Sequence, residues 1–267
     1  MAMATGGAYV AMALSNFLAM KRVFGGKDNK DLSDSHPTYV TPDGVTFAIW
    51  GFIYLFELMT VVAQIAPSAH IEALLSGGSS WTGLDVRMRL ALAFLANGLW
   101  LPIFNNERFW AALGIMAVYL ALLLSVYADL NVATLTTVAE RLLFATGIAM
   151  NVSWILVAFA VSCFFCGGEA GWRDEHGVAG SMPAAVAVVS LVAALGCERA
   201  VASCDLAWAF VAAWALRGIY RMQTIPDRVR FPISALNASL AAGARIGAFA
   251  VAAAAFASAA WRVYLRA

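Results

Sequence analysis

Charge is the first thing this sequence is short of. Only 12% of its 267 residues are Asp, Glu, Lys or Arg, about half of the roughly 25% found in a soluble domain. A surface that poor in charge is not built to face water. The net charge is +1, so no basic field exists to hold nucleic acid, and none is expected as a partner. Lysine is absent after Lys30, which excludes a retinal Schiff base on a late helix. The three histidines, His36, His70 and His176, fall in expected loops, so a haem held by two histidines inside a helical bundle is not expected. No P-loop, H-E-x-x-H, G-x-S-x-G or G-x-G-x-x-G sequence occurs, and with no recognisable catalytic motif we assign no catalytic residue and expect no enzyme. Four cysteines are present. Cys163 and Cys166 form a C-F-F-C inside an apolar run, without the further ligands that zinc requires or the βαβ setting of a redox motif. The cysteines read as packing residues, and no metal site is expected.

What is present is apolar. Hydrophobic residues make up 62% of the chain, and the mean hydropathy is +0.78. A helix needs roughly 20 apolar residues to cross about 30 Å of hydrocarbon. Eight apolar segments can be marked, at about 5–22, 44–66, 87–105, 109–128, 136–165, 182–197, 203–221 and 234–263. The expected fold class is all-α, a polytopic transmembrane helix bundle. Met1 to Met20 has no basic leader region and reads as a first membrane helix rather than a signal peptide. Only Asn105, Asn106, Glu107 and Arg108 separate the third and fourth segments, which predicts a tight helical hairpin.

Two polar stretches interrupt the pattern. Gly25 to Pro42 is long and mixed in sign, and Gly167 to Pro183 carries Glu169, Arg173, Asp174, Glu175 and His176. The second is the strongest internal boundary. Basic residues cluster at Lys21, Arg22, Lys27 and Lys30, and again at Arg217, Arg221, Arg228 and Arg230. With eight spans these loops fall on one side, the cytoplasm-like one, against a weaker opposing signal from Arg262 and Arg266. Glu57 and Arg245 lie within apolar segments; a charge at that depth costs at least about 2.5 kcal/mol unless it is met. They are expected to pair or to face a shared polar cavity.

The remaining signal is aromatic. The second segment reads P-D-G-V-T-F-A-I-W-G-F-I-Y and places Trp50 and Tyr54 one helical turn apart. The third holds N-G-L-W-L-P-I-F, with Asn97, Trp100, Pro102 and Phe104 within eight residues. Pro102 removes a backbone donor, and Asn97 is a polar side chain that needs a partner in lipid. The two pairs Trp50–Tyr54 and Asn97–Trp100 are each spaced for one face and are expected to turn inward onto a common space.

The pattern N-x-x-W-x-P-x-F in a third helix resembles the signature of the TspO/translocator proteins, the tryptophan-rich sensory proteins. So does a Pro-led second helix with Trp50 eight residues after Pro42 and Tyr54 four later. The resemblance covers about residues 5–165. The fifth helix, R-L-L-F-A-T-G-I-A-M-N-V-S-W-I-L-V-A, lacks the family's Pro-Tyr but keeps W-x-x-x-A spacing at Trp154 and Ala158. Three further segments mark a longer, divergent branch. The resemblance implies a five-helix transmembrane unit at residues 1–166 and a three-helix transmembrane extension at 167–267. It also implies an integral membrane protein that binds a hydrophobic ligand, a tetrapyrrole or a lipid, in an aromatic-lined pocket, with a sensing, transport or chaperoning role. On that reading Trp50, Tyr54, Asn97, Trp100, Phe104, Trp154 and Ala158 line the pocket, and Tyr39 and Pro42 on the long loop close it. No covalent cofactor is implied. Partners would be membrane lipid and the ligand itself, with a homodimer or a larger membrane complex permitted by the small-residue content. Two other readings stand beside it. One is an accessory, structural subunit of a larger energy-transducing membrane complex, docked through the last three helices. The other is a transporter, with Glu57 and Arg245 marking the path.

Overall fold

The computed structural model describes residues 2–27, 29–79, 82–225 and 231–265. Arg228, Arg230 and Arg266, three of the basic residues used above to orient the chain, lie outside them. Among the described residues the chain forms ten helices: α1 (Ala2–Met20), α2 (Asn29–Ser35), α3 (Ile49–Ala63), α4 (Ala69–Leu75), α5 (Val86–Asn105), α6 (Phe109–Asp129), α7 (Val138–Glu169), α8 (Met182–Ala202), α9 (Leu206–Thr224) and α10 (Ala238–Tyr264). Their starts are set by local chemistry. Asp85 accepts from the Met88 N–H at 2.7 Å to cap α5, and Asn237 accepts from the Leu240 N–H at 2.9 Å to cap α10. Thr137 and Glu140 form a reciprocal capping box that opens α7. Such caps satisfy backbone donors that the helix leaves bare. The expected hairpin between α5 and α6 is present, turned by Glu107 at a φ of 59°.

Among the described residues, seven helices are long and apolar enough to cross a membrane: α1, α3 with its leading 3₁₀ turn (Gly44–Ala63), α5, α6, α7, α8 and α10. The chain is therefore an integral membrane protein and an all-α bundle former. The seventh apolar segment becomes α9 but is not among the seven, because Arg217 and Arg221 in its second half lower its hydropathy. The long loop is not wholly irregular either, since it contains the two-turn α2.

The chain folds into two compact units: Met1–Asn29 with Trp50–Ile155, and Lys30–Ile49 with Leu156–Ala267. These boundaries differ from a division at 166/167, and the reason is visible in the second unit. There the segment ahead of α3 is stitched to C-terminal residues. The Ala179 N–H donates to Pro37 O at 2.9 Å, the Trp214 indole donates to Thr46 O at 2.8 Å, and Arg221 Nε meets Asp43 Oδ2 at 2.6 Å. Gly218 allows this approach: a Cβ there would fall 2.7 Å from Pro42 Cβ. Within the same unit α8, α9 and α10 pack on one another, and Gly196 lies so close to Val251 and Ala212 that a Cβ would come within 3 Å of each.

Tyr39 is buried in the second unit, where its hydroxyl donates to Asp174 and its ring meets Phe231 edge-on at 5.9 Å. Burial, then the bond to Asp174, push the Tyr39 phenol above its ordinary range. Burial pulls the Asp174 carboxyl upward, but the Tyr39 hydroxyl and the Val178 and His176 N–H groups outweigh it and hold the carboxyl below its usual value. A carboxylate depressed in the folded state stabilises above its unfolded value and loses that contribution as pH falls through the folded one. Asp174→Asn is accordingly expected to lower the melting temperature at neutral pH. The gap from the parent should narrow once pH drops below about 4. A gap that is flat with pH would show that the charge contributes nothing.

In the first unit, α1 and α6 both pack on α5. Gly98 permits the α1 approach, since a Cβ there would lie 3.2 Å from Met12 Cα, and Ser15 Oγ donates to Gly98 O at 2.6 Å. At one end of α5 the buried Arg89 donates to Ser125 O at 2.6 Å and pairs with Asp129. α3 meets α7 at a π-helical turn, Arg141–Ala145, beside Gly147. There Thr60 Oγ1 donates to Leu143 O at 2.7 Å.

Candidate ligand-binding site

The first unit is held together by one circuit of polar side chains buried among apolar ones. Tyr54 on α3 donates its hydroxyl to Asn16 Oδ1 on α1 at 2.8 Å. Asn16 Nδ2 donates to Asn97 Oδ1 on α5 at 3.2 Å, and Asn97 Nδ2 to the Tyr119 hydroxyl on α6 at 2.9 Å. Asn151 Nδ2 on α7 donates to the same hydroxyl and to Glu57 Oε1, each at 2.5 Å. Glu57 lies on α3, three residues past Tyr54. The bonds therefore pass through five helices and close on the helix where they began. Glu57, Asn97, Tyr119 and Asn151 are all 0% exposed. In hydrocarbon a polar group without a partner costs several kcal/mol, so the partners dictate how these helices assemble.

The aromatic residues lie beside this circuit. Trp50 stacks on Tyr54, with ring centroids 5.2 Å apart and planes 27° apart. It meets Trp154 edge-on at 6.2 Å and 83°. The i, i+4 spacing of Trp50 and Tyr54 makes the first contact; the second needs α3 to pack against α7. Tyr9 adds a bond from its hydroxyl to the Tyr54 carbonyl at 2.9 Å. Trp100 and Phe104 form a second aromatic group, with centroids 5.4 Å apart, that extends to Phe109. Trp100 is buried, and its indole N–H has no acceptor among the described residues. Tryptophan buried in a protein usually finds one.

Of the residues expected to line a pocket, Trp50, Tyr54 and Trp154 are in ring contact, and Asn97 joins Tyr54 through Asn16. Trp100 and Phe104 are one turn and two turns further along α5 from Asn97. Tyr39, Pro42 and Ala158 belong to the second unit. Asn16, Tyr119 and Asn151 were not among the expected site residues. The signal for them was available, because each is a polar side chain set in a long apolar helix and must be met there. The two intramembrane charges are each met within their own unit: Glu57 by Asn151, and Arg245 by the Tyr220 ring, 5.8 Å from its centroid.

The arrangement is an aromatic face with polar tips on a rigid helical frame, a chemistry suited to a flat apolar ligand with a few polar groups. A family model described as TSPO-like protein matches residues 2–257. No curated protein and no solved structure matches the chain.

Proposed function

The chain belongs to the TSPO-like protein family, and from that membership we propose that it binds a hydrophobic small molecule, a tetrapyrrole or a lipid, through the first unit. The ligand lies against Trp50, Tyr54 and Trp154, with Trp100 offering its indole N–H to an acceptor on the ligand. Phe104 completes its wall on the α5 side. The role that follows is sensing, transport or chaperoning of that ligand within the membrane. The observation that carries this reading is the Trp50–Tyr54–Trp154 ring cluster, set directly on a buried polar circuit. Rings placed only to fill a bundle need no such polar neighbours.

Titration of the detergent-purified protein with protoporphyrin tests it, read both by tryptophan quenching and by the shift of the porphyrin absorption band. Saturable binding is expected. Aromatic contacts are worth about 0.5–1.5 kcal/mol each, so the Trp50→Phe, Trp100→Phe double variant is expected to bind about tenfold more weakly. Absence of binding, combined with co-migration in a large complex in mild detergent, would favour an accessory subunit of an energy-transducing assembly.

A further inference from the structure

Buried acceptors in the polar circuit outnumber the donors that reach them. Glu57 Oε2 and Asn151 Oδ1 are buried with no hydrogen-bond partner among the described residues, although their residues are 0% exposed. Gln64 Oε1, in the turn one residue past the end of α3, is a third such atom among the described residues. Trp50, Tyr54 and Glu57 recur at intervals of four and three residues along α3, which keeps them on one helical face. That face therefore presents two stacked rings, then a buried carboxyl with one oxygen unmatched among the described residues. A neutral amide and a carboxylate that both lack donors call for a group that donates hydrogen bonds and carries positive charge. Rings one turn away add the attraction of an aromatic face for a cation.

From this we infer that Glu57 and Asn151 form a subsite for the ammonium group of a lipophilic amine whose apolar body lies against Trp50, Tyr54 and Trp154. The inference rests on the hydrophobic-ligand reading above and specifies the polar end of that ligand. The ammonium supplies three donors. One is taken by Glu57 Oε2 and one by Asn151 Oδ1, the atoms left over by the internal circuit. The Asn151 amide keeps its bonds to Tyr119 and Glu57 Oε1, so the ligand completes the circuit without breaking it. The paired charges neutralise each other, which removes the cost of an ionised carboxylate inside hydrocarbon.

The test uses the full-length protein in a non-ionic detergent and three probes that share one apolar body: 4-phenylbutylamine, 4-phenylbutanol and 4-phenylbutanoate. Isothermal titration is read against blank micelles. The amine is expected to bind at least about tenfold more tightly than the alcohol, the gap of one charge-assisted bond, and the carboxylate most weakly. In Glu57→Gln the advantage of amine over alcohol should vanish. If that variant does not fold, Glu57→Asp keeps the charge on a shorter arm and should retain a reduced preference. Equal binding of amine and alcohol by the wild type would overturn the subsite and leave the hydrophobic-ligand reading standing. An amine preference that survives in Glu57→Gln would overturn it too, by placing the charge elsewhere. Failure of all three probes to bind would also overturn the subsite, while the hydrophobic-ligand reading is decided separately by the porphyrin titration.

Discussion

Gly147→Leu is expected to prevent the first unit from forming, the most severe outcome of any single substitution in that unit. A Cβ on Gly147 would lie 2.8 Å from Glu57 N, 2.9 Å from Phe56 C and 3.1 Å from Phe56 Cβ. Two of these three atoms are backbone, so no rotamer change relieves the contact, and α3 must move away from α7. That movement pulls apart the Asn151–Glu57 and Thr60–Leu143 bonds, which hold the same pair of helices. Even Gly147→Ala should cost on the order of 1–3 kcal/mol, the usual range for an overpacked core. Gly114 supplies the control, because a Cβ there meets nothing within 4 Å. Gly114→Ala should be neutral, or stabilising by up to about 1 kcal/mol from helix propensity. Thermal unfolding in detergent, followed by tryptophan fluorescence, measures all three. Equal melting temperatures for Gly147→Ala and Gly114→Ala would show that the α3–α7 contact yields easily.

The contrast between these two glycines marks the limit of what the linear chain reveals. Both sit in long apolar runs, and nothing local tells one from the other. Whether a glycine is an open surface or a point of backbone contact depends on which helix lies opposite. The helices themselves were legible, because an apolar run has only one way to satisfy its backbone in lipid. So was the shared face of Trp50 and Tyr54, since residues four apart on a helix are neighbours by geometry; that the two rings stack came from the structure. The hairpin at Asn105 to Arg108 was legible for a similar reason, four residues being too few for any wider connection. The partners of Asn97 were not. That it needed partners followed from its chemistry, but Asn16, 81 positions away, and Tyr119, 22 away, are fixed only by how α1 and α6 pack on α5. The same holds for the loop ahead of α3. Its docking through Asp43, Thr46 and Gly218 joins residues more than 150 positions apart, a pairing that composition does not announce. The α9 segment shows the opposite case. Its apolar half suggested a membrane span, and two arginines on the remaining half set it apart.

Asn151→Leu is expected to have the second-largest effect, and the sign of its rescue makes it informative. The amide donates to both Glu57 and Tyr119, so the leucine breaks the two bonds that tie the circuit to α7. Glu57 is left with a buried carboxyl and no donor among the described residues. Stranding a buried polar group costs about 1–3 kcal/mol, and more when it is charged, whereas double-mutant cycles within membranes put a typical bond nearer 0.6 kcal/mol. The carboxyl pushes the expected loss to the upper end, about 2–3 kcal/mol. If the loss comes from the stranded carboxyl, taking the carboxyl away must recover it. Glu57→Leu added to Asn151→Leu should therefore be more stable than Asn151→Leu alone, because replacing both partners with apolar groups leaves little unsatisfied. Tyr119→Phe should be milder than Asn151→Leu, since it removes a shared acceptor and leaves Asn151 still bonded to Glu57. Melting curves of the two singles and the double, in one detergent, give the coupling directly. A double variant as unstable as the two losses added together would mean that Glu57 is satisfied by something other than Asn151. The circuit would then not be what ties α3 to α7.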